Sequence, residues 1–250
     1  MKQLFKNTLF VPTILLTQLF SYSYAAEDVH WGYTGKSGPA NWGDLADQYA
    51  MCKKGKNQSP IDIKASLDTD LTPIKFNYIK QASTIKNNGH TVQVDYPAGN
   101  SISLNGTQYE LKQFHFHSPS ENTIDGQHYP LEAHFVHADD KGNLAVVGVM
   151  FKDGEDNKKI AELWQNMPKQ ANTQQNLANP FSAIDLLPKS HDYYRFNGSL
   201  TTPPCSEGVL WLVLKQPITI SIDQAKQLVE TLNHPNNRPV QPLNARTVLK

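Results

Sequence analysis

Between residues 80 and 220 the chain is written in short runs whose apolar positions recur every second residue. STIKNNGHTVQVDY, SISLNGTQYELKQFHFH, LEAHFVHAD, NLAVVGVMF and EGVLWLVLKQPITI are the β-leaning runs, and several of them alternate in this way. Alternation of this period places successive side chains on opposite faces of a strand. Gly, Asn and Pro punctuate the runs, so the pattern predicts strands of one extensive sheet, a mostly β fold. Asn105-Gly106 stands between two runs and predicts a tight hairpin. Helical spacing occurs twice. DNKKIAELWQNM (156–167) is apolar at Ile160, Leu163, Trp164 and Met167 and ends at Pro168; IDQAKQLVETL (222–232) has Ser221 or Asp223 to cap it. The polar stretch KQANTQQNLANP reads as a surface connection.

The first residues depart from this text. MKQLFKN leads into the apolar run TLFVPTILLTQLF and the small residues SYSYAA, the layout of a secretory signal peptide (1–25) cut after Ala25. The run is shorter than the roughly 20 apolar residues of a membrane span. We therefore expect secretion across the inner membrane, to the periplasm if the source is Gram-negative, with residues 26–250 forming a single domain. The whole chain balances 23 Lys and Arg against 23 Asp and Glu, which points to neither nucleic acid nor an anionic membrane surface. Cys52 and Cys205, both in the exported part, read as a disulfide in an oxidising compartment; the alternative is two buried free thiols.

Candidate chemistry concentrates in QFHFHSPSE (113–121). On a strand, Gln113, His115 and His117 share one face while Phe114 and Phe116 take the other. His134, in LEAHFVH, adds a third imidazole from another strand. Three histidines are the ligand set of a catalytic zinc, which keeps a fourth position for water. Gln113 and Glu132 each precede a candidate ligand by two residues, placed to take the ligand's second N–H. The spacing also admits a merely solvated polar face, or the His-x-His-x(3–4)-Glu motif of a cupin-type metalloenzyme with Glu121 as a ligand. The second cupin block, Pro-x-Gly-x2-His, is not found. His137 is out of register with His134 and reads as a core histidine. His30, His128, His191 and His234 show no partner pattern.

HWGYTG, NQSPIDI, NNGHTVQV, QFHFHSPSE, LEAHFVH, LAVVGVMF, GSLTTPPC, VLWLVLKQPI and NNRPVQPLN follow one another from about residue 30 to the C-terminus. In that order they resemble the α-class carbonic anhydrases, of the exported bacterial kind. The resemblance implies a ten-stranded, mainly antiparallel twisted sheet with short peripheral helices and Zn2+ in a conical cleft. It also implies cis peptides before Pro60 and Pro204 and a Cys52–Cys205 disulfide beside GSLTTPPC. The implied activity is that of a lyase, reversible hydration of CO2 to bicarbonate and a proton. The small-molecule partners are then CO2 and bicarbonate, and a homodimer is left open.

By the same resemblance, zinc on His115, His117 and His134 carries the hydroxide that attacks CO2, its water having the near-neutral pKa for which carbonic anhydrases are known. Thr201 accepts from that hydroxide and donates to Glu121, a direction enforced because a carboxylate only accepts. Thr202 and the Thr201 N–H line the approach, and Val136, Val146, Leu200 and Trp211 form an apolar wall for CO2. Direct proton loss to water is limited to roughly 10^3 per second, so faster turnover needs a shuttle with a pKa near 7. His90 holds the shuttle position, with Tyr33, Asn88 and Gln93 around its water chain. Ser118, Gln93 and Phe196 stand where vertebrate members have Trp, Asn and Tyr. Relatives that persist only as binding modules lose a zinc histidine, and this chain keeps all three.

Overall fold

The computed structural model describes residues 29–64 and 66–250, so the expected signal peptide lies outside the described residues. The alternating runs form β1 (Asp62–Ile63), β2 (Lys75–Asn77), β3 (Ala82–Asn87), β4 (Val92–Asp95), β5 (Ser101–Leu104), β6 (Thr107–His117), β7 (Thr123–Ile124), β8 (Leu131–Ala138), β9 (Leu144–Asp153), β10 (Thr173–Phe181), β11 (Tyr193–Ser199), β12 (Glu207–Leu214) and β13 (Ile218–Ile220). Eleven of these join one sheet, where ten were expected, and β1 pairs with β7 apart from it. The long path runs β10-β3-β4-β6-β8-β9-β12-β11; β5 and β2 extend from β6, and β13 lies along β9. Within this sheet β9 pairs in parallel with β12 and β13, and the other pairings are antiparallel.

Local signals account for several boundaries. Asn105 and Gly106 both take positive φ, 50° and 80°, as a two-residue turn between β5 and β6 demands. The short helices are α1 (Trp42–Leu45), α2 (Met51–Lys54), α3 (Lys158–Trp164) and α4 (Ile222–Leu232). α4 spans the expected residues, and Ser221 accepts the Gln224 N–H as its cap. α3 is shorter than the expected 156–167 at both ends: Asn157 accepts the Lys159 and Ile160 N–H groups and fixes its start, and past Trp164 the Asn166 and Met167 N–H groups bond three residues back instead of four. The polar stretch expected as a connection contains strand β10, paired to β3 at the sheet's edge. Solvent reaches most of its side chains, so no apolar alternation marked it. Among the described residues no helix is long and apolar enough to cross a membrane.

The two faces of the sheet differ. Phe114, Phe116, Phe135, Val147 and Val149 are fully buried in the main core with α3 and α4. The opposite face carries the histidines and a smaller cluster with Val146, Phe196, Trp211 and Val213. A β-bulge between Leu111 and Gln113 sets this division. Leu111 and Phe114 both face the main core although strict alternation would separate them. The extra residue, Lys112, shifts the parity of everything after it, so His115 and His117 turn toward the other face.

His137 lies in the core, as its register predicts. Its Nδ1 donates to the Ala145 carbonyl at 3.2 Å, and its Nε2 then accepts from the Tyr78 hydroxyl at 2.7 Å. Burial pushes its pKa down to about 4, with the Ala145 and Phe135 carbonyls pulling the other way. The unfolded imidazole titrates near 6.5, so between these values the unfolded state binds more protons and stability rises with pH. The loss begins as pH falls below 6.5 and is complete below about 4, amounting to about 3 kcal/mol. We expect urea midpoints to fall across that window, and to fall less steeply in a His137→Gln protein. Equal slopes for the two proteins would refute the assignment.

Candidate active site

His115 and His134 face each other across β6 and β8, with His117 two residues beyond His115. One nitrogen from each lies within 4.8 Å of the other two. Each remaining nitrogen faces an acceptor: His115 Nδ1 hydrogen-bonds Gln113 Oε1 at 2.8 Å, His117 Nδ1 the Asn236 carbonyl at 2.7 Å, and His134 Nε2 lies 3.0 Å from Glu132 Oε1, close enough to pair but outside hydrogen-bond geometry. Nε2 of His115, Nε2 of His117 and Nδ1 of His134 are thereby left to converge. Burial holds His117 down to about 4 and the other two well below the ordinary imidazole range, neighbouring histidines adding to the effect on both. All three are thus neutral at pH 7 with lone pairs to offer. His117 Nε2 is buried and has no hydrogen-bond partner. Three neutral, converging nitrogen donors fit Zn2+, and a cation supplies the partner the orphaned nitrogen lacks.

The supports are themselves held. Glu132 Oε2 accepts the N–H groups of Glu121 and Asn122, at 2.8 and 2.9 Å, and its Oε1 accepts from Asn122 Nδ2 at 2.9 Å. Gln113 and Glu132 lie against His115 and His134 respectively. Asn236, the partner of His117, was missed: it acts through a backbone carbonyl 119 residues away, and its motif NNRPVQPLN marked only the family resemblance.

Glu121 is fully buried next to the histidines. Its Oε1 accepts the Arg238 N–H at 2.8 Å, and its Oε2 lies 3.5 Å from His117 Nε2 and 3.8 Å from His134 Nδ1. Burial pushes its pKa up to about 8, against the pull of the Arg238 N–H and the Thr201 hydroxyl. Among the described residues the group able to hold a metal consists of the three histidines, without Glu121. That is not the cupin arrangement.

Thr201 sits on the loop after β11, which is pinned from several sides. Ser199 Oγ accepts the Ser59 N–H at 2.9 Å, and Ser59 Oγ accepts the Ser199 N–H at 3.2 Å. A Cβ on Gly198 would stand 2.1 Å from Ser59 Oγ, so only glycine admits this approach. The Cys52–Cys205 disulfide is formed, and the peptides before Pro60 and Pro204 are cis, as is Ser118–Pro119. The buried Arg238 guanidinium donates to Gln58 Oε1 and to the Ser59 and Cys52 carbonyls. Like Asn236, Arg238 was not singled out from the sequence.

Register also builds the apolar wall. Val136 of β8, Val146 of β9 and Trp211 of β12 form one lateral row across three strands, and Leu200 packs against that cluster. The Trp211 ring meets His134 edge-on, centroids 4.8 Å apart, and Phe196 stacks on Trp211. Ser118, where a larger Trp was the vertebrate pattern, is buried and donates to the Pro130 carbonyl at 2.9 Å.

A cleft of about 140 Å³ joins this centre to the surface and is lined by Tyr33, Asn88, His90, Gln93, His115 and Thr202, among others. His90 stacks on Trp31 with centroids 3.8 Å apart, and His30 lies 6.3 Å away. Burial, then the nearby His30 and His234, lower its pKa from the ordinary histidine value, where a value near 7 was expected. His90, Tyr33, Asn88 and Gln93 thus line one cleft, while Trp211 lies against His134.

A mainly antiparallel sheet that presents three neutral, buttressed imidazoles beside an apolar wall defines a zinc enzyme with room at the metal for a small substrate. The chain matches the eukaryotic-type carbonic anhydrase family over residues 37–250. It is 45% identical over 236 residues to the carbonic anhydrase of Pectobacterium atrosepticum, covering 94% of this chain and 96% of that one. With the carbonic anhydrase of Neisseria gonorrhoeae it shares 48% over 240 residues, 95% of each chain. It superposes on the α-carbonic anhydrase from Thermovibrio ammonificans, solved with the inhibitor sulfanilamide, with a TM-score of 0.87 at 48% identity, covering 89% of this chain and 99% of that one. The chain belongs to the eukaryotic-type carbonic anhydrase family, the α class. It is a zinc-dependent enzyme for the reversible hydration of CO2 to bicarbonate and a proton.

Proposed function

We propose that this enzyme is an exported bacterial carbonic anhydrase, in which Thr201 and Glu121 orient the attacking group and His90 carries the proton away. The observation that carries the reading is the convergence of three neutral imidazole nitrogens beside buried Glu121. Export and a periplasmic location are supported by the signal-like N-terminus, the formed disulfide and bacterial relatives. A homodimer, left open by the resemblance, would show in sedimentation of the mature protein.

His115, His117 and His134 would hold the zinc, which when bound makes a water nucleophilic near neutral pH. Glu121 has one oxygen filled by the Arg238 N–H. As a carboxylate it accepts only, so Thr201 beside it must donate to it and turn its own lone pairs toward the cleft. A bound dication opposes the burial that raises the Glu121 pKa. Val136, Val146, Leu200 and Trp211 give apolar CO2 a dry surface, while Thr202 and the Thr201 N–H offer polar contacts to an anionic product.

His90 lies on the cleft that leads from the histidines outward. Tyr33, Asn88 and Gln93 supply polar groups to hold water between. Its lowered basicity favours release of the proton to buffer over its capture. We expect His90→Ala to lower kcat in weak buffer about tenfold or more, to leave kcat/KM unchanged, and to be rescued by imidazole. Stopped-flow hydration reads all three, and an undiminished kcat would remove His90 from the role.

A further inference from the structure

A polar chain runs from the surface to the turn that carries His90. On β4, Gln93 and Asp95 share a face and stand opposite His115 and Gln113 of β6. Asp95 is engaged on both oxygens: Oδ2 lies 2.6 Å from Lys86 Nζ, and Oδ1 accepts from Gln93 Nε2 at 2.6 Å. Gln93 Oε1 in turn accepts from Asn88 Nδ2 at 3.3 Å. Asn88 Oδ1 accepts the backbone N–H groups of His90 and Thr91, both at 2.9 Å.

Each bond in this chain has one workable sense. Lys86 only donates and the Asp95 carboxylate only accepts, so Gln93 must turn its NH2 to Asp95 and its carbonyl to Asn88. Asn88 must then give its NH2 to Gln93, which leaves its carbonyl for the two N–H groups of the turn. The Lys86–Asp95 pair is partly exposed and adds little stability by itself. The directional effect belongs to Asp95, whose accept-only carboxylate sets the polarity of every bond that follows. We infer that Asp95 is a positioning residue for proton transfer, holding the His90 turn in place through Gln93 and Asn88. This inference rests on the reading of His90 as the proton carrier.

Asp95→Asn keeps the shape and removes the one-way constraint. Beside Lys86 the new amide must turn its carbonyl to the lysine and its NH2 to Gln93. Gln93 then reverses, and Asn88 is left with either two facing NH2 groups or an NH2 set against the turn's N–H groups. We expect kcat in weak buffer to fall about fivefold, the scale of one net hydrogen bond, with kcat/KM unchanged. Amide exchange at His90 and Thr91 should quicken by a similar factor. Adding Lys86→Met frees the amide to present its carbonyl to Gln93, and should restore both readouts; Lys86→Met alone should change neither. Wild-type kcat and exchange in Asp95→Asn, no restoration in the double variant, or an equal fall in kcat/KM would each overturn the role of Asp95. His90→Ala separates the two claims. If it loses kcat and is rescued by imidazole while Asp95→Asn is unaffected, only the positioning role fails; if His90→Ala is itself unaffected, the shuttle reading fails.

Discussion

Replacing His134 by alanine is expected to remove zinc and CO2 hydration together. Two imidazoles remain, both from β6, and a catalytic zinc needs three protein ligands to keep its fourth position for chemistry. The fold should survive the change. His134 lies within the sheet, and its neighbour Glu132 keeps the two backbone N–H groups and the Asn122 amide that already satisfy it. The lost packing against Trp211 costs about 2 to 4 kcal/mol by analogy with large-to-small core changes. Metal content by atomic spectroscopy and stopped-flow hydration should both drop to background while circular dichroism stays native. A folded, metal-free His134→Ala protein that still hydrates CO2 at the wild-type rate would sink the mechanism.

The second large effect is on stability. Cys52 and Cys205 are 153 residues apart, and closing a loop of that length stabilises by about 5 kcal/mol in the chain-entropy account. Domains are stable by only about 5 to 15 kcal/mol in all, so the reduced protein, or the Cys52→Ser variant, should unfold at far lower urea. The same region is also held by side chains. Arg238 takes the Cys52 and Ser59 carbonyls, and Gln58 donates to the Cys205 carbonyl at 3.0 Å and to Glu207 Oε1 at 3.1 Å. The variant that does fold should therefore keep zinc and lose activity only in step with its unfolded fraction. A midpoint displaced by less than about 1 kcal/mol equivalent would contradict this.

The legible parts of this protein are those set by neighbours in the chain. The hairpin at Asn105-Gly106 and the cap of α4 at Ser221 follow from two or three residues each. So do the opposed faces of Phe114, His115, Phe116 and His117, and the pairing of Gln113 with His115. β10 escaped notice because an edge strand open to solvent needs no apolar face to form. α3 came out short because an Asn cap set its first turn and i→i−3 turns closed its end, so the apolar stripe outran the helix. The partners Asn236 and Arg238 were not foreseen because one carbonyl and one backbone N–H do their work at the metal centre; every residue type carries the first and all but proline the second.

The sequence by itself determined a β-rich chain with one face of histidines, and its motifs were enough to name the class of chemistry. Only the tertiary structure decided which face those histidines occupy, because a single bulge at Lys112 reverses the alternation that follows. It alone brought His134 opposite His115, aligned Val136, Val146 and Trp211 into one wall, and closed Asn236 and Arg238 over the site. The pairing of strands distant in the chain and backbone hydrogen bonds across 119 residues are properties of the packed sheet, and side-chain identity along the chain does not encode them locally.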